Sequence, residues 1–239
     1  MFDPLQFVLV TLVVFTGGVI QGSLGYGIGL VCVPFLTLIN PQLVPVPMLV
    51  AVLIFNLSVA LREKSTLDFF GLKWITIGGI PGTFLGAWVL AIVSLRIASI
   101  VIGAIVILAV LVSVIGVRVK PRKIFLLPIG FLAGGMAAIA MVGGPPVALV
   151  YQDEPGNRLR PTLAGFFILA ITFSLISYAL LGKFSIFDFW QGLLMLPGIM
   201  TGYLLSSRII KHLKQSHIRT GILLMSSVSG VIVILRQLI

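Results

Sequence analysis

Apolar residues run along this chain in long blocks instead of alternating with polar ones, and the polar positions fall between the blocks. The blocks cover about 5–39, 43–61, 73–93, 97–117, 124–151, 161–181, 189–207 and 218–235. Most are near 20 residues long, which at about 1.5 Å rise per residue crosses a hydrocarbon core of roughly 30 Å. Uncharged runs of this length predict membrane-spanning helices. Two blocks break the pattern. The first, about 35 residues, is too long for one straight span and is interrupted by GGVIQGSLGYGIG from Gly17 to Gly29. The fifth, about 28 residues, contains Gly143-Gly144-Pro145-Pro146. No continuous helix accommodates that run, because proline lacks the ladder donor and glycine is a poor helix former.

The order of elements repeats: a long broken segment, three plain spans, then the same again. An offset of 116 places Trp74 on Trp190, Pro81-Gly82 on Pro197-Gly198, Gly86 on Gly202, and Asn56 and Ser58 on Thr172 and Ser174. An offset of 117 places Gly17-Gly18 on Gly134-Gly135 and Gly27 on Gly144. The clustering of Trp, Pro-Gly and Gly at one offset predicts an internal duplication, with repeats over 1–117 and 118–239.

Composition agrees with the blocks. Of 239 residues 59% are hydrophobic and 9% charged, against about 25% charged in an ordinary soluble domain. The 16 Lys and Arg against 6 acids, a net charge of +10, would suit nucleic acid, but their distribution excludes that partner. From Met1 to Leu61 the only charged side chain is Asp3, and 97–117 and 124–152 contain none. The first basic residue is Arg62, so the opening segment lacks the basic region of a cleavable signal and is expected to belong to the mature fold. Cys32 is the single cysteine, which rules out a disulfide within the chain and a thiolate zinc site of the usual kind.

The basic residues also decide how the broken segments run, because short cytoplasmic loops collect Lys and Arg. If each broken segment crosses once, the two faces hold nine and seven of them, which is no bias. If each returns to the face it entered from, one face collects 13 (Arg62, Lys64, Lys73, Arg118, Lys120, Arg122, Lys123, Arg158, Arg160, Arg208, Lys211, Lys214, Arg219) and the other three (Arg96, Lys183, Arg236). The second arrangement is favoured, with the basic face cytoplasmic and both termini outside. Each half is then a hairpin or re-entrant segment plus three spans, and the second half enters the membrane from the opposite side. The predicted fold is an all-α polytopic membrane protein of two inverted-topology repeats, an architecture common among secondary transporters.

Non-helical backbone survives at membrane depth only where it is buried in protein or lines a wet cavity, so the two breaks are the leading site candidates. The substrate-binding residues expected there are Gly25, Tyr26, Gly27, Gly29, Gly143, Gly144 and Pro145. The proline pair suits the first turn of a new half-helix, whose free amides hold an anion without a charged side chain. No span contains an internal Lys, Arg or His. The matched polar pairs Asn56 and Ser58, Thr172 and Ser174 are further candidates, because polar groups inside spans are costly unless partnered or functional. Gln21 and Ser23 rank below them. Pro81-Gly82 and Pro197-Gly198, mid-span, are candidate hinges. Gly17, Gly18, Gly134 and Gly135 suit close helix packing better than binding. His212 and His217 read as loop residues, and Asp153, Glu154, Arg158 and Arg160 as a mixed loop. Asp68 and Asp188 read as helix caps. Paired carboxylates, Ser/His/Asp sets and phosphate-binding glycine motifs beside a Lys are missing, so no enzyme, metal or cofactor is expected.

The run GYGIGLVCVPFL from Gly25 to Leu36, with the related GGPPVALVY from Gly143 to Tyr151, resembles the sulfite exporter (TauE/SafE) family over the whole chain. Tyr151 stands where the second motif would carry its proline. The resemblance implies a bacterial cytoplasmic-membrane permease that exports sulfite, sulfonates or related small sulfur-containing anions. Alternating access, with the anion resting between the two glycine hairpins, is the expected mechanism. The expected partners are that small inorganic or organosulfur anion and the lipid bilayer, with a homo-oligomer left open. A passive anion channel and a non-transporting scaffold subunit stay open as alternatives.

Overall fold

The computed structural model describes residues 3–63, 67–115, 121–151, 156–209 and 215–238. Among them all regular structure is helical: α1 (Pro4–Leu24), α2 (Ile28–Ile39), α3 (Val46–Glu63), α4 (Phe69–Ile92), α5 (Leu95–Ile115), α6 (Lys123–Ala140), α7 (Gly144–Val150), α8 (Gly156–Leu180), α9 (Ile186–Ile209) and α10 (Gln215–Leu238), with a short 3-10 turn at Pro41–Leu43. Both long apolar blocks are split, the first into α1 and α2 and the fifth into α6 and α7. Seven of the described helical segments are long and apolar enough to cross a membrane. The outer surface is apolar as well, with Phe69 and Leu180 each 78% exposed. Such a surface suits lipid and would be an aggregation hazard in water.

The helices pack through small residues, as spans do when lipid supplies no hydrophobic drive between them. On α4, a Cβ at Gly78 or Gly82 would overlap the carbonyl of Leu127 or Phe131 on α6, and one at Gly86 would crowd that of Gly135. In return, Gly130 and Gly134 of α6 lie against the carbonyls of Ile75 and Gly79. Contacts rise together along both helices, so α4 and α6 run parallel. The same holds for α1 and α9: Gly198 meets Val14, Gly202 the carbonyl of Phe15, Gly18 that of Ile199, and Gly22 the Ser206 side chain. The first helix of each broken segment therefore packs on the fourth helix of the other half. Glycines that coincide at the two sequence offsets line these two seams.

Contacts at the helix ends define two faces. Near one, Lys123 Nζ at the start of α6 sits 4.1 Å from the Trp74 ring centroid on α4. Tyr151, just after α7, bonds Asp68, just before α4. The segment α6–α7 thus returns to the face where it began. Near the opposite face, Arg236 Nη1 of α10 donates to the Leu38 carbonyl at the end of α2, 2.7 Å away. There Pro41–Pro47, Leu90–Leu95 and Tyr178–Gln191 converge around one cavity. Since α9 begins at that face and α1 runs parallel to it, α1 begins there too. Hence α1–α2 also returns to its own side. In length α2 and α7 amount to 12 and 7 residues, about 28 Å together at 1.5 Å per residue. They run from the contact between the breaks to opposite faces, and their sum matches a hydrocarbon core.

Candidate functional site

The first break is built from glycine geometry. Gly25 ends α1 with φ 80° and Gly27 precedes α2 with φ 117°, both in the left-handed region where a Cβ is strained. Gln21 bridges the gap. Its Nε2 donates to the Gly25 carbonyl at 3.1 Å, and its Oε1 accepts from the Ile28 amide, the first of α2, at 3.2 Å. One buried side chain therefore satisfies an acceptor at the end of one helix and a donor at the start of the next. The Val31 amide bonds the Gly27 carbonyl, which leaves Gly29 and Leu30 as the first-turn amides of α2 outside these bonds.

At the second break Met141 takes the left-handed conformation, φ 53°. Its amide donates to the Ala137 carbonyl, closing α6. Gly143 then precedes α7, which Gly144 begins, with Pro145 and Pro146 in its first turn. The prolines suit the first turn but supply no amide, so α7 presents fewer donors than a half-helix start normally does.

The two breaks meet. A Cβ on Gly29 would overlap the Met141 carbonyl, and one on Gly144 would lie 2.8 Å from Tyr26 Cβ. A cavity of about 10 Å³ between them is lined by Gln21, Gly27, Met141, Gly144, Pro145 and Phe167. A second of about 10 Å³ lies beside Gln21, Gly25, Phe55, Asn56, Ala164 and Tyr203. Each is on the scale of a single water molecule. A third, about 350 Å³, opens at the face with few charges and is lined by Val46, Pro47, Leu90, Tyr178, Lys183 and Gln191, among others. The three follow α3 and α8 through the protein, at Val46, Val52 and Asn56 on one helix and Tyr178, Phe167 and Ala164 on the other.

Near the basic face the ends of α7, α4 and α8 are tied together. Tyr151, 1% exposed, donates from its hydroxyl to Asp68 Oδ2 at 2.8 Å, and the Asp68 amide donates to Thr162 Oγ1 at 3.1 Å. Asp68 makes no cap to its own helix, so the capping role expected of it is corrected: its carboxylate joins the end of α7 to the start of α4. Asp188 does cap. It accepts from the Ser185 amide and hydroxyl at 2.8 and 2.7 Å, while its own amide donates to Ser185 Oγ, a reciprocal capping box.

Of the residues expected at the site, the fold gathers Gly25, Tyr26, Gly27, Gly29, Asn56, Gly143, Gly144 and Pro145 around the breaks. Asn56 is 1% exposed, and its amide donates to the Val52 carbonyl. Ser58 lies elsewhere, with its hydroxyl on the Phe55 carbonyl and near Met200 Sδ of α9. Thr172 and Ser174 bond the Ile168 and Ala170 carbonyls within α8 and line none of the three cavities. Pro81 and Pro197 lie on the exposed side of helices that continue through them, with Gly82 and Gly198 buried in the seams. Asp153, Glu154 and His212 lie outside the described residues, as do the side chains of Arg158, Arg160 and His217. Among the described residues no three His, Cys, Asp or Glu side chains gather to hold a metal.

Sequence reasoning ranked Gln21 low and gave no site role to Tyr151, Thr162, Lys183 or Gln191. Gln21, four residues before Gly25, was open to detection as a bridge; the others depend on contacts between distant segments.

A search of the curated proteins and of the solved structures finds no match to this chain. The family model described as sulfite exporter TauE/SafE matches residues 10–233. With that match over nearly its whole length and seven apolar spans, this multi-pass membrane protein belongs to the sulfite exporter TauE/SafE family of membrane transporters.

Proposed function

We propose that the chain is a secondary carrier that moves a small sulfur-containing anion, such as sulfite or an organosulfonate, outward across the bacterial cytoplasmic membrane by alternating access. The observation that carries this reading is the meeting of the two breaks, Gly29 against the Met141 carbonyl and Gly144 against Tyr26. It joins irregular backbone of two apolar segments, and such backbone within a membrane survives only where it is buried in protein or lines a cavity, as where the broken helices of carriers hold a ligand. The start of α2 turns unpaired amides and the positive end of its dipole toward that point. The exchange of α1–α9 and α4–α6 packing between halves supports two repeats of inverted topology. The 13 to 3 distribution of basic residues supports a cytoplasmic basic face and external termini.

The cavities support a carrier over a permanently open channel. Access reaches inward from the sparsely charged face, the centre is pinched to the size of one water, and Asp68, Tyr151 and Thr162 close the basic side. In the alternate state the closure at Tyr151 opens and the vestibule shuts. The membrane potential drives anion exit, by about 2.3 kcal/mol per charge at 100 mV. The test is sulfite flux in proteoliposomes of purified protein. Flux that saturates with sulfite concentration is the expected result; unsaturable conductance identifies a channel, and no flux a scaffold.

A further inference from the structure

Gln191 is 7% exposed, stands near the start of α9, and makes no hydrogen bond among the described residues. Its amide atoms are not sealed from solvent, because they open into the 350 Å³ vestibule, where a bound molecule is in position to satisfy them. Lys183 stands on the same cavity, fixed by the turn that ends α8. Gly182 takes φ 66°, its amide bonds the Ala179 carbonyl, and the Lys183 amide bonds the Tyr178 carbonyl, the paired bonds of a Schellman motif. The vestibule's one carboxylate, Asp188, is engaged by Ser185. Much of the remaining wall is apolar and includes Leu90, Val93, Ile102 and Phe187.

We propose that this vestibule is a binding site for an organic anion, whose charged oxygens are held by Lys183 and Gln191 and whose apolar body packs on Leu90, Val93, Ile102 and Phe187. A few polar groups fix orientation in ligand pockets while apolar walls bury the rest of the molecule. A bare inorganic oxyanion would give up hydration to these walls without recompense. The floor of the site is linked to the central breaks, because Tyr178 donates from its hydroxyl to the Ala138 carbonyl at 3.1 Å, three residues before Met141. A ligand against Tyr178 therefore touches the residue that holds the end of α6. The role of the vestibule in transport rests on the carrier reading; its ability to bind does not.

The test is calorimetric titration of the full chain in nanodiscs with propane-1-sulfonate and with sulfite, together with sulfite flux in proteoliposomes. Propanesulfonate is expected to bind more tightly than sulfite, and Lys183→Gln and Gln191→Leu each to weaken it by about fivefold or more. Gln191→Leu breaks no hydrogen bond to the described residues and adds an apolar side chain to a largely apolar wall, so its Tm should hold, which separates lost binding from lost folding. Equal affinity for both anions, or full affinity in both variants, overturns the proposal. Sulfite flux in the wild type with propanesulfonate binding unchanged in the variants overturns the vestibule site and leaves the carrier standing. Saturable propanesulfonate binding that the variants weaken, without any flux, overturns the carrier and leaves the site.

Discussion

Tyr151 and Asp68, 83 positions apart, are joined by a 2.8 Å hydrogen bond from the tyrosine hydroxyl to Oδ2. Gly71 makes room for it, since a Cβ there would overlap the hydroxyl oxygen. The bond ties the end of the re-entrant α7 to the start of α4 on the basic side of the path. Tyr151→Phe removes it with little change of shape. At about 1.5–3 kcal/mol for a hydrogen bond to a charged group, the population open to the basic face should rise by roughly 10- to 150-fold. The check is the labelling rate of an Asn56→Cys reporter in a Cys32→Ser background, with a charged thiol reagent applied from the basic side. An unchanged rate would show that this bond does not hold the closure.

The close approach of Tyr26 and Gly144 leaves no room for a side chain. Gly144→Ala should cost about 1–3 kcal/mol through overpacking and reduce sulfite flux. Gly144→Leu should abolish sulfite binding at the breaks in a protein that still folds. Thermal unfolding and calorimetric titration of the two variants read these effects separately. Sulfite binding retained by a folded Gly144→Leu protein would move the site away from the breaks.

Adjacent glycines on α6 should behave differently. A Cβ at Gly134 overlaps the Gly79 carbonyl, whereas one at Gly135 lies 3.4 Å from the Gly82 carbonyl oxygen, an ordinary contact. Gly134→Ala is expected to destabilise by about 1–3 kcal/mol. Gly135→Ala is expected to be neutral or to gain up to about 1 kcal/mol from helix propensity. Chemical denaturation in detergent compares the two, and equal losses would argue against the α4–α6 seam as described.

Gln21→Leu leaves the Gly25 carbonyl and the Ile28 amide without their partner. Each buried orphan costs about 1–3 kcal/mol, so the variant should lose stability and flux together. Gln21→Glu keeps the acceptor for Ile28 but loses the donor and adds a negative charge beside the path. It should therefore suppress anion flux more than its change in Tm accounts for. Flux that follows Tm alone in both variants would reduce Gln21 to a structural clamp.

Much of the fold was legible because its signals are local. Apolar runs near 20 residues identify spans, and Gly25–Gly27 and Gly143–Pro146 cannot continue a helix. Charge parity is a sum over loops, and it indicated that both broken segments turn back before any contact was known. The site was legible only in part, because period and burial say that a polar residue faces protein without saying which neighbour it meets. Asn56 and Ser58 illustrate this. Two residues apart on one helix they differ by about 200° in direction, so Asn56 lines a cavity while Ser58 faces Met200 of α9. Asp68 was misread for a related reason: its position before a helix suggests a cap, yet Tyr151 arrives from another segment and takes the carboxylate.

By itself the sequence determined that this is a multi-span helical membrane protein, where its helices break, and to which family it belongs. Helix length, proline and glycine chemistry and the sorting of Lys and Arg act within short stretches of chain. Only the tertiary structure decided that the breaks meet, that Gln21 bridges the first, that Tyr151 reaches Asp68 near one face and that a vestibule lined by Lys183 and Gln191 opens on the other. Those features arise from contacts between segments tens of residues apart, and such contacts exist only once the helices have packed.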